Sequence, residues 1–235
     1  MSVRENYLEI EEGICEAAKS ASRRREEITL LAVTKFVEWE RIAEALDCGI
    51  NSAGESRVQE LTAKLPNFME RNVELHLIGQ LQTNKVKYII GKVKTIQSLD
   101  RFELAEEISR LAEKNGVVQD ALVEVNIGEE EQKGGICPLE LPEFLSKVSA
   151  LPGVRVKGLM CIPPAVGEED ARPYFAGMRE LFEKMGGLGL PNVSMETLSM
   201  GMSGDYRAAI AEGSTMVRIG TALFGARQKL PGGKA

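Results

Sequence analysis

A lysine follows a run of apolar residues near the start of the chain, at a position suited to amine chemistry. Residues 28–35 read ITLLAVTK, and this run predicts a buried strand that ends at Lys35. Burial lowers the pKa of an amine and frees its lone pair, so a lysine placed there can act as a nucleophile. The alternative is a lysine whose apolar stem is buried while its ammonium group reaches water.

Two glycine-containing segments near the end of the chain are suited to binding a phosphate. Residues 198–213, LSMGMSGDYRAAIAEG, contain a strand end, a loop and a helix start, for which Ser203 is the predicted N-cap. In residues 214–225, STMVRIGTALFG, Gly220 allows a ligand to approach the backbone closely and Thr221 adds a hydroxyl. Helix starts offer free N–H groups to anions, so the two loops predict a phosphate site. A loop that is merely capped is the alternative.

Arg218 lies between these loops, and its five fixed donors are suited to a ligand with acceptor atoms. Side chains alternate along a strand, so Arg218 shares a face with Gly220 and opposes Val217 and Ile219. Arginine is rarely buried unless paired, which predicts either a ligand acceptor, such as a ring nitrogen or a carboxylate, or an internal salt bridge. An amine, a phosphate site and a donor to a ring nitrogen together favour pyridoxal 5′-phosphate held as a Schiff base.

The elements that must hold these residues alternate between strands and helices. The predicted strands are residues 28–35, 50–54, 74–79, 95–98, 121–126, 155–160, 195–200 and 216–220. The predicted helices are residues 3–24, 38–47, 56–65, 84–90, 101–114, 139–150, 168–185 and 206–211, with a short one after Thr221.

This alternation predicts an α/β protein with a parallel (β/α)₈ barrel, a TIM barrel with an extra N-terminal helix. We expect one domain over residues 1–235, with a leading helix at 1–25 and a C-terminal tail at 228–235. The site then lies at the carboxyl ends of the strands. An open, doubly wound sheet is the alternative, although no Gly-x-Gly-x-x-Gly follows the first strand.

Composition excludes several classes of function. The net charge is −6 with no long basic run, which argues against nucleic acid or an anionic membrane as a partner. The four cysteines form no C-x-x-C pair and only one histidine is present, so no metal site is expected. No apolar stretch is long enough to span a membrane, and we expect a cytoplasmic protein with reduced thiols.

Five ordered motifs resemble those of the pyridoxal phosphate homeostasis protein family, whose members are single-barrel relatives of the alanine racemase N-terminal domain. The motifs are AVTK, LHLIGQLQTNK, GLMCIPP, LSMGMSGD and GSTMVRIGTALFGAR. The resemblance runs from about residue 29 to residue 227, nearly the whole chain. It implies that the cofactor is pyridoxal 5′-phosphate, bound covalently as an aldimine.

The resemblance also implies roles for individual residues. Lys35 matches the lysine of the aldimine, and Arg218 matches the arginine at the pyridine nitrogen. The residues that match the phosphate-binding positions are Ser203, Gly220 and Thr221. Met202 and Met160 match residues around the cofactor. His76 falls in the third-strand motif beneath the ring, with a hydrogen-bonded core histidine as the alternative.

Two positions qualify this comparison. The family commonly has Gly-Glu-Asn after the second strand, where this chain has Ser56 in place of the asparagine. The contact of that asparagine with the cofactor hydroxyl is therefore in question here. Lys133, in a fifth-strand loop, is a second amine that could form an aldimine, although a solvated loop lysine is the favoured interpretation.

A non-catalytic function is expected. A racemase needs a second base, which in the resembled racemases is a tyrosine held near the site by a second domain from the partner subunit. We expect no such domain here, because the sequence ends where the predicted barrel ends, and Tyr206 is the one nearby tyrosine to keep as a candidate. The expectation is a monomer that holds pyridoxal phosphate and supplies it to other proteins, such as pyridoxal-phosphate-dependent apoenzymes. An alanine or serine racemase is the alternative.

Overall fold

Eight short segments form parallel strands that hydrogen-bond to one another in sequence order. The computed structural model describes residues 2–130 and 132–225, and in this part of the chain the eighth strand pairs back with the first to close a barrel. The predicted barrel is therefore confirmed. The strands are β1 (Thr29–Val33), β2 (Ser52–Glu55), β3 (Glu74–Leu77), β4 (Thr95–Leu99), β5 (Gln119–Glu124), β6 (Val154–Met160), β7 (Val193–Ser199) and β8 (Met216–Ile219).

Helices precede the barrel and connect its strands on the outside. They are α1 (Val3–Ser20), α2 (Trp39–Asp47), α3 (Val58–Glu70), α4 (Phe102–Lys114), α5 (Leu141–Ser149), α6 (Glu168–Gly186), α7 (Tyr206–Ala211) and α8 (Thr221–Phe224). Two 3₁₀ helices, Arg25–Glu27 and Thr83–Tyr88, complete the connections. In the described ranges 2–130 and 132–225, no helix is both long and apolar enough to cross a bilayer.

Alternation along the strands divides the core into two layers. Leu31 and Val33 of β1 point into the barrel, where they form a small cluster with Met216 of β8. The residues between them, such as Ala32, pack outward against the helices together with Ile219. Most of the apolar core lies in this outer layer, so the barrel interior has room for polar side chains.

The leading helix is shorter than predicted and is anchored to the barrel. Its N-terminus is a capping box, in which Ser2 accepts from the N–H of Glu5 and the Glu5 carboxylate accepts from the N–H of Ser2. The buried face includes Val3, Ile10 and Ile14. Helix α1 ends at Ser20 rather than residue 24 because the chain turns through Ser22, whose φ is +57°.

Two connections differ from their predicted form. The segment after β3 is a 3₁₀ helix rather than an α-helix, with i→i+3 hydrogen bonds such as Ile89 N–H to Val86 O at 3.0 Å. Helix α3 begins at Val58 and continues past Pro66, where the prediction ends it at residue 65. The turn beyond the proline is held by tertiary packing, because Phe68 is fully buried with its ring edge-to-face against Trp39 at 5.3 Å.

Strand β1 ends two residues earlier than predicted. Val33 is its last residue, and Lys35 lies in a tight turn closed by a hydrogen bond of 3.1 Å from the N–H of Val37 to the carbonyl of Thr34. The residue after the lysine, Phe36, has a φ of +60°. Lys35 is therefore at the first central position of a turn, with its backbone direction set by that turn. The predicted tail at 228–235 lies outside the described residues.

A glycine in β6 generates a prediction about stability. Gly158 has a φ of +148°, and a Cβ there would lie 1.9 Å from the Thr197 carbonyl oxygen of β7. We expect Gly158→Ala to lower the free energy of unfolding by about 3 kcal/mol, because the backbone of two paired strands must separate. Urea unfolding measures this change.

Gly177→Ala, inside α6, is the matched control. Its added methyl would meet only the Ile127 side chain at 3.5 Å, an ordinary contact. Alanine is favoured over glycine in a helix interior, so this variant is expected to be about 0.5–1 kcal/mol more stable than wild type. Equal effects of the two substitutions would contradict the expected role of Gly158.

Candidate functional site

The Lys35 turn lies next to the loop that follows β8. Strands β1 and β8 pair up to Ala32 opposite Ile219, and a Cβ on Gly220 would lie 3.3 Å from the Cβ of Val33. Glycine at 220 therefore makes room for Val33 of the neighbouring strand, in addition to the ligand approach predicted from the sequence. Lys35 and Thr221 follow these two residues closely, so the loops that contain them leave neighbouring strands at the carboxyl end of the barrel.

The two loops predicted to bind phosphate contact each other directly. The N–H of Ala222, at the start of α8, donates to the hydroxyl of Ser203 at 3.1 Å. Ser203 was expected to be the N-cap of α7, and this expectation was wrong because Asp205 occupies that position. The carboxylate of Asp205 instead accepts from the N–H of Met202 at 2.6 Å, which tightens the loop.

A chain of buried hydrogen bonds crosses the barrel interior toward Arg218. Arg218 donates from Nη1 to the Ser199 hydroxyl at 2.7 Å and from Nη2 to the Cys161 carbonyl at 2.8 Å. Ser199 donates to Oε1 of Gln97 at 2.8 Å, and Nε2 of Gln97 lies 3.2 Å from Nδ1 of His76. Side chains from β3, β4, β7 and β8 therefore form one polar network.

Arg218 is a buried cation that donates hydrogen bonds to neutral acceptors, the Ser199 hydroxyl and the Cys161 carbonyl. The side chain is almost fully buried, and within residues 2–130 and 132–225 no carboxylate lies within ion-pair distance of it. Burial lowers the pKa of the guanidinium, while the charges of Glu124 and Asp205 raise it. The alternative of an internal salt bridge is therefore wrong for the described part of the chain, and the residue is suited to a ligand acceptor.

His76 is hydrogen-bonded at one nitrogen only. The Gln97 amide donates to Nδ1, which assigns the ring proton to Nε2, and Nε2 has no partner among the described residues. Burial lowers the pKa of His76 to about 4, so the ring is neutral at pH 7. The site thus contains a neutral imidazole, which agrees only in part with the alternative of a hydrogen-bonded core histidine.

Glu124, the last residue of β5, is a functional candidate that was not predicted from the sequence. Burial and the nearby charge of Asp100 raise the pKa of Glu124 to about 7, and the charge of Arg218 lowers it. The carboxyl group therefore changes its ionisation state near neutral pH while facing the same polar network. The available signal was an acidic residue at the end of the apolar run ALVE, which resembles the position of Lys35 after β1.

The other residues predicted to surround the cofactor, Met160, Met202 and Ser56, follow or end strands of the barrel. Met160, at the end of β6, is buried and pairs with Ser199, whereas Met202 is half-buried in the β7 loop. Ser56 follows β2 and its backbone carbonyl would lie 2.3 Å from a Cβ on Gly79. These contacts place Ser56 beside the loop that follows β3.

Two alternative functional groups have other partners. Lys133 lies in the loop after β5 with its side chain 31% exposed, and it donates to the Pro163 carbonyl at 3.0 Å and to the carboxylate of Glu130, so this loop lysine has protein partners in addition to its contact with solvent. The hydroxyl of Tyr206 lies against α1, where a Cβ on Gly13 would approach it to 2.1 Å. Tyr206 therefore packs on the outer surface of the barrel.

Comparison with known proteins establishes the class of protein to which the chain belongs. Residues 15–228 match the family model described as Alanine racemase, N-terminal domain, in agreement with the closed barrel. A relative named pyridoxal phosphate homeostasis protein, from Aquifex aeolicus, is 47% identical over 229 residues, which are 97% of this chain and all of the relative. The chain belongs to the pyridoxal phosphate homeostasis protein family.

Solved structures support the same assignment. The structure of PipY from Synechococcus elongatus with PLP bound matches with a TM-score of 0.78 and 33% identity, over 90% of this chain and all of PipY. An alanine racemase from Clostridium difficile matches with a TM-score of 0.71 and 16% identity, over 98% of this chain and 57% of the racemase. The racemase shares the fold, but much of its length lies outside the match.

The lowered pKa of His76 predicts how the free energy of unfolding depends on pH. Its pKa is about 4 in the folded protein, against about 6.5 in an unfolded chain. Between these values the unfolded state binds the additional proton, so stability falls as the pH falls. We expect the free energy of unfolding to drop by about 2 kcal/mol more in wild type than in His76→Gln between pH 7.5 and pH 5.

The comparison with the variant is necessary because Glu124 acts in the opposite direction. Its raised pKa makes the folded state bind the proton first, so its contribution to stability grows as the pH falls below about 7. His76 is the only histidine in the sequence, so its imidazole signals in the NMR spectrum of untagged protein are unambiguous. Titration of those signals near pH 6.5 would contradict the prediction.

Proposed function

We propose that this chain binds pyridoxal 5′-phosphate reversibly through a Schiff base on Lys35 and supplies the cofactor to other proteins without catalytic turnover. The observation that carries the proposal is the contact between Val33 and Gly220, which puts the Lys35 turn beside the β8 loop. This contact brings an amine and the proposed phosphate-binding loop to one end of the barrel. The amine and the cofactor aldehyde combine with loss of water, and hydrolysis reverses the reaction.

The residues at this end of the barrel fit the cofactor. Arg218 is a buried cation with neutral partners, which suits an acceptor such as the pyridine nitrogen. The hydroxyls of Ser203 and Thr221 and the backbone at Gly220 are the proposed phosphate ligands. Met160, Met202, Ser56 and His76 are proposed to surround the cofactor.

Arg218 also disfavours transaminase-type chemistry, and it disfavours racemisation less. A permanently charged arginine that donates to the pyridine nitrogen disfavours protonation of the ring, and an unprotonated ring is a weaker electron sink. The family name and the PLP bound in PipY support the cofactor assignment. The relative from Aquifex aeolicus matches over its full length, which supports a function shared by the whole chain.

The partners and location follow from the same proposal. The expected recipients are pyridoxal-phosphate-dependent apoenzymes, and the protein is expected to act as a monomer in the cytoplasm. The cysteines support a reducing compartment, because all four, Cys15, Cys48, Cys137 and Cys161, are free.

Racemisation of alanine or serine is the second candidate, favoured by the shared fold. It requires a base on each face of the bound amino acid, and Lys35 can supply one. Tyr206 does not supply the other in this structure, because its hydroxyl lies against α1. We therefore retain the proposal that the protein is a carrier of pyridoxal phosphate.

Absorbance spectroscopy tests the cofactor assignment. We expect purified protein with added pyridoxal phosphate to show a visible Schiff-base band that borohydride removes, with the reduced adduct located on Lys35 by peptide mass spectrometry. Lys35→Ala is expected to lose the band. Lys133→Ala is the matched control and should keep it, because the Lys133 ammonium is paired with Glu130. An adduct on Lys133 in wild type would contradict the assignment.

Isotope exchange separates a carrier from a racemase. With L-alanine in deuterated buffer, the loaded protein is expected to exchange the α-hydrogen and to form D-alanine, measured by chiral chromatography, no faster than free pyridoxal phosphate does, because Tyr206, the candidate second base, lies against α1. Proton NMR follows the loss of the α-hydrogen signal. Exchange at rates of about 1 s⁻¹ or more, in the range of ordinary enzymes, would assign a racemase instead.

A further inference from the structure

We propose that Lys64, acting with Glu55 and Glu60, is a positioning residue that holds the Lys35 turn in the geometry needed for Schiff-base formation. The inference rests on the proposed function, because it concerns the amine that binds the cofactor. The three residues lie on β2 and α3, and their side chains contact the residues on both sides of Lys35.

The residue before the lysine, Thr34, is held by hydrogen bonds with β2 and α3. The carbonyl of Thr34 accepts from Nζ of Lys64 at 2.8 Å, and the Thr34 hydroxyl donates to Oε1 of Glu55 at 2.8 Å. The N–H of Thr34 donates to the Gly54 carbonyl at 3.0 Å and continues the β1–β2 pairing. The entry into the turn is therefore fixed through both its backbone and its side chain.

The residue after the lysine is held from the same helix. The N–H of Phe36 donates to Oε1 of Glu60 at 2.5 Å, and the Arg57 guanidinium lies over the Phe36 ring at 5.0 Å. Phe36 has a φ of +60°, which is uncommon and unfavourable for a residue other than glycine. The contacts with α3 offset this strain and keep the turn in one conformation.

Lys64 connects these contacts into one network. Its ammonium has three N–H groups, and they donate to Thr34 O, Glu55 Oε1 and Glu60 Oε1 at 2.8, 2.8 and 2.9 Å. The side chain of Lys64 is 15% exposed, and that of Glu55 is fully buried. Glu60 and Lys64 lie four residues apart on α3, so a single helix face presents both to the turn.

Stability alone does not explain this arrangement. A buried ion pair loses much of its attraction to desolvation and is often replaceable by apolar residues without loss of stability. Burial raises the pKa of Glu55, opposed by its contacts with Lys64 and Thr34, and the Glu55 Oε2 atom has no partner in the described residues. The network is better explained by its effect on the turn that it surrounds.

The test compares two ligands that differ only at the reactive carbon. Pyridoxal phosphate forms the Schiff base, whereas pyridoxine 5′-phosphate has an alcohol in place of the aldehyde and reports on the phosphate loops and Arg218. We expect Lys64→Met to raise the Kd of pyridoxal phosphate about tenfold or more, because a displaced amine lowers the effective concentration of the nucleophile. The Kd of pyridoxine 5′-phosphate is expected to change less than about twofold.

A second pair of variants tests the other side of the turn. Glu60→Gln keeps an oxygen that accepts from the Phe36 N–H, and Glu60→Ala removes it. We expect the glutamine variant to retain most of the Schiff-base band and the alanine variant to lose affinity for pyridoxal phosphate as Lys64→Met does. Lys147→Met is the matched control, because it breaks an exposed pair with Glu143 on α5 and should bind both ligands as wild type does.

The outcomes separate the two proposals. Wild type that forms no borohydride-reducible adduct on Lys35 would refute the proposed function before any variant is considered. Lys64→Met and Glu60→Ala that bind pyridoxal phosphate as tightly as wild type would refute the positioning role. Equal weakening of both ligands would also refute it, since damage to the whole site affects pyridoxine 5′-phosphate as well. Circular dichroism verifies that each variant is folded.

Discussion

Closure of the barrel by the pairing of β1 with β8 is the constraint on which the site depends. Lys35 comes from the first strand's loop, whereas Arg218 and Thr221 come from the last strand and its loop, so only closure brings them together. The approach of Gly220 to Val33 shows how tight this closure is at the carboxyl end. A parallel barrel has no free edge strands, so the register of this last pairing is held by the seven others.

Closure of the barrel also removes Arg218 from water, and the interior network supplies the acceptors that its guanidinium needs. An arginine inside a barrel loses its hydration, and its donors must be satisfied by neighbours. Here a serine hydroxyl and a main-chain carbonyl accept from Arg218, while Gln97 extends the network to His76. None of these acceptors neutralises the charge, so the cation is oriented but retains its capacity to attract an acceptor ligand. The neutral state of His76 follows from the same burial and avoids a second interior cation.

Much of this candidate site could be predicted, because the positions of several of its residues follow from patterns along the sequence. Strand periodicity placed Arg218 inside the barrel, and the apolar run before Lys35 placed the lysine at the carboxyl end. The role of Ser203 could not be found in this way, because its partner Ala222 belongs to another loop and the nearby Asp205 is an equally good helix cap. The contact of Lys64 with Thr34 could not be predicted from the sequence either, since it depends on how α3 packs beside the β1 turn.

The leading helix is part of the support for the site. Helix α8 has four residues, too few to be stable alone, yet its first residues carry the proposed phosphate contacts. Asn6 of α1 donates to the carbonyl of Leu223 at 2.8 Å, and Ile10 and Ile14 pack in the same apolar cluster as Leu223. The start of the chain therefore stabilises the short helix near residue 221, just as α3 stabilises the turn at Lys35. Two elements outside the barrel thus fix the two loops between which the cofactor is proposed to bind.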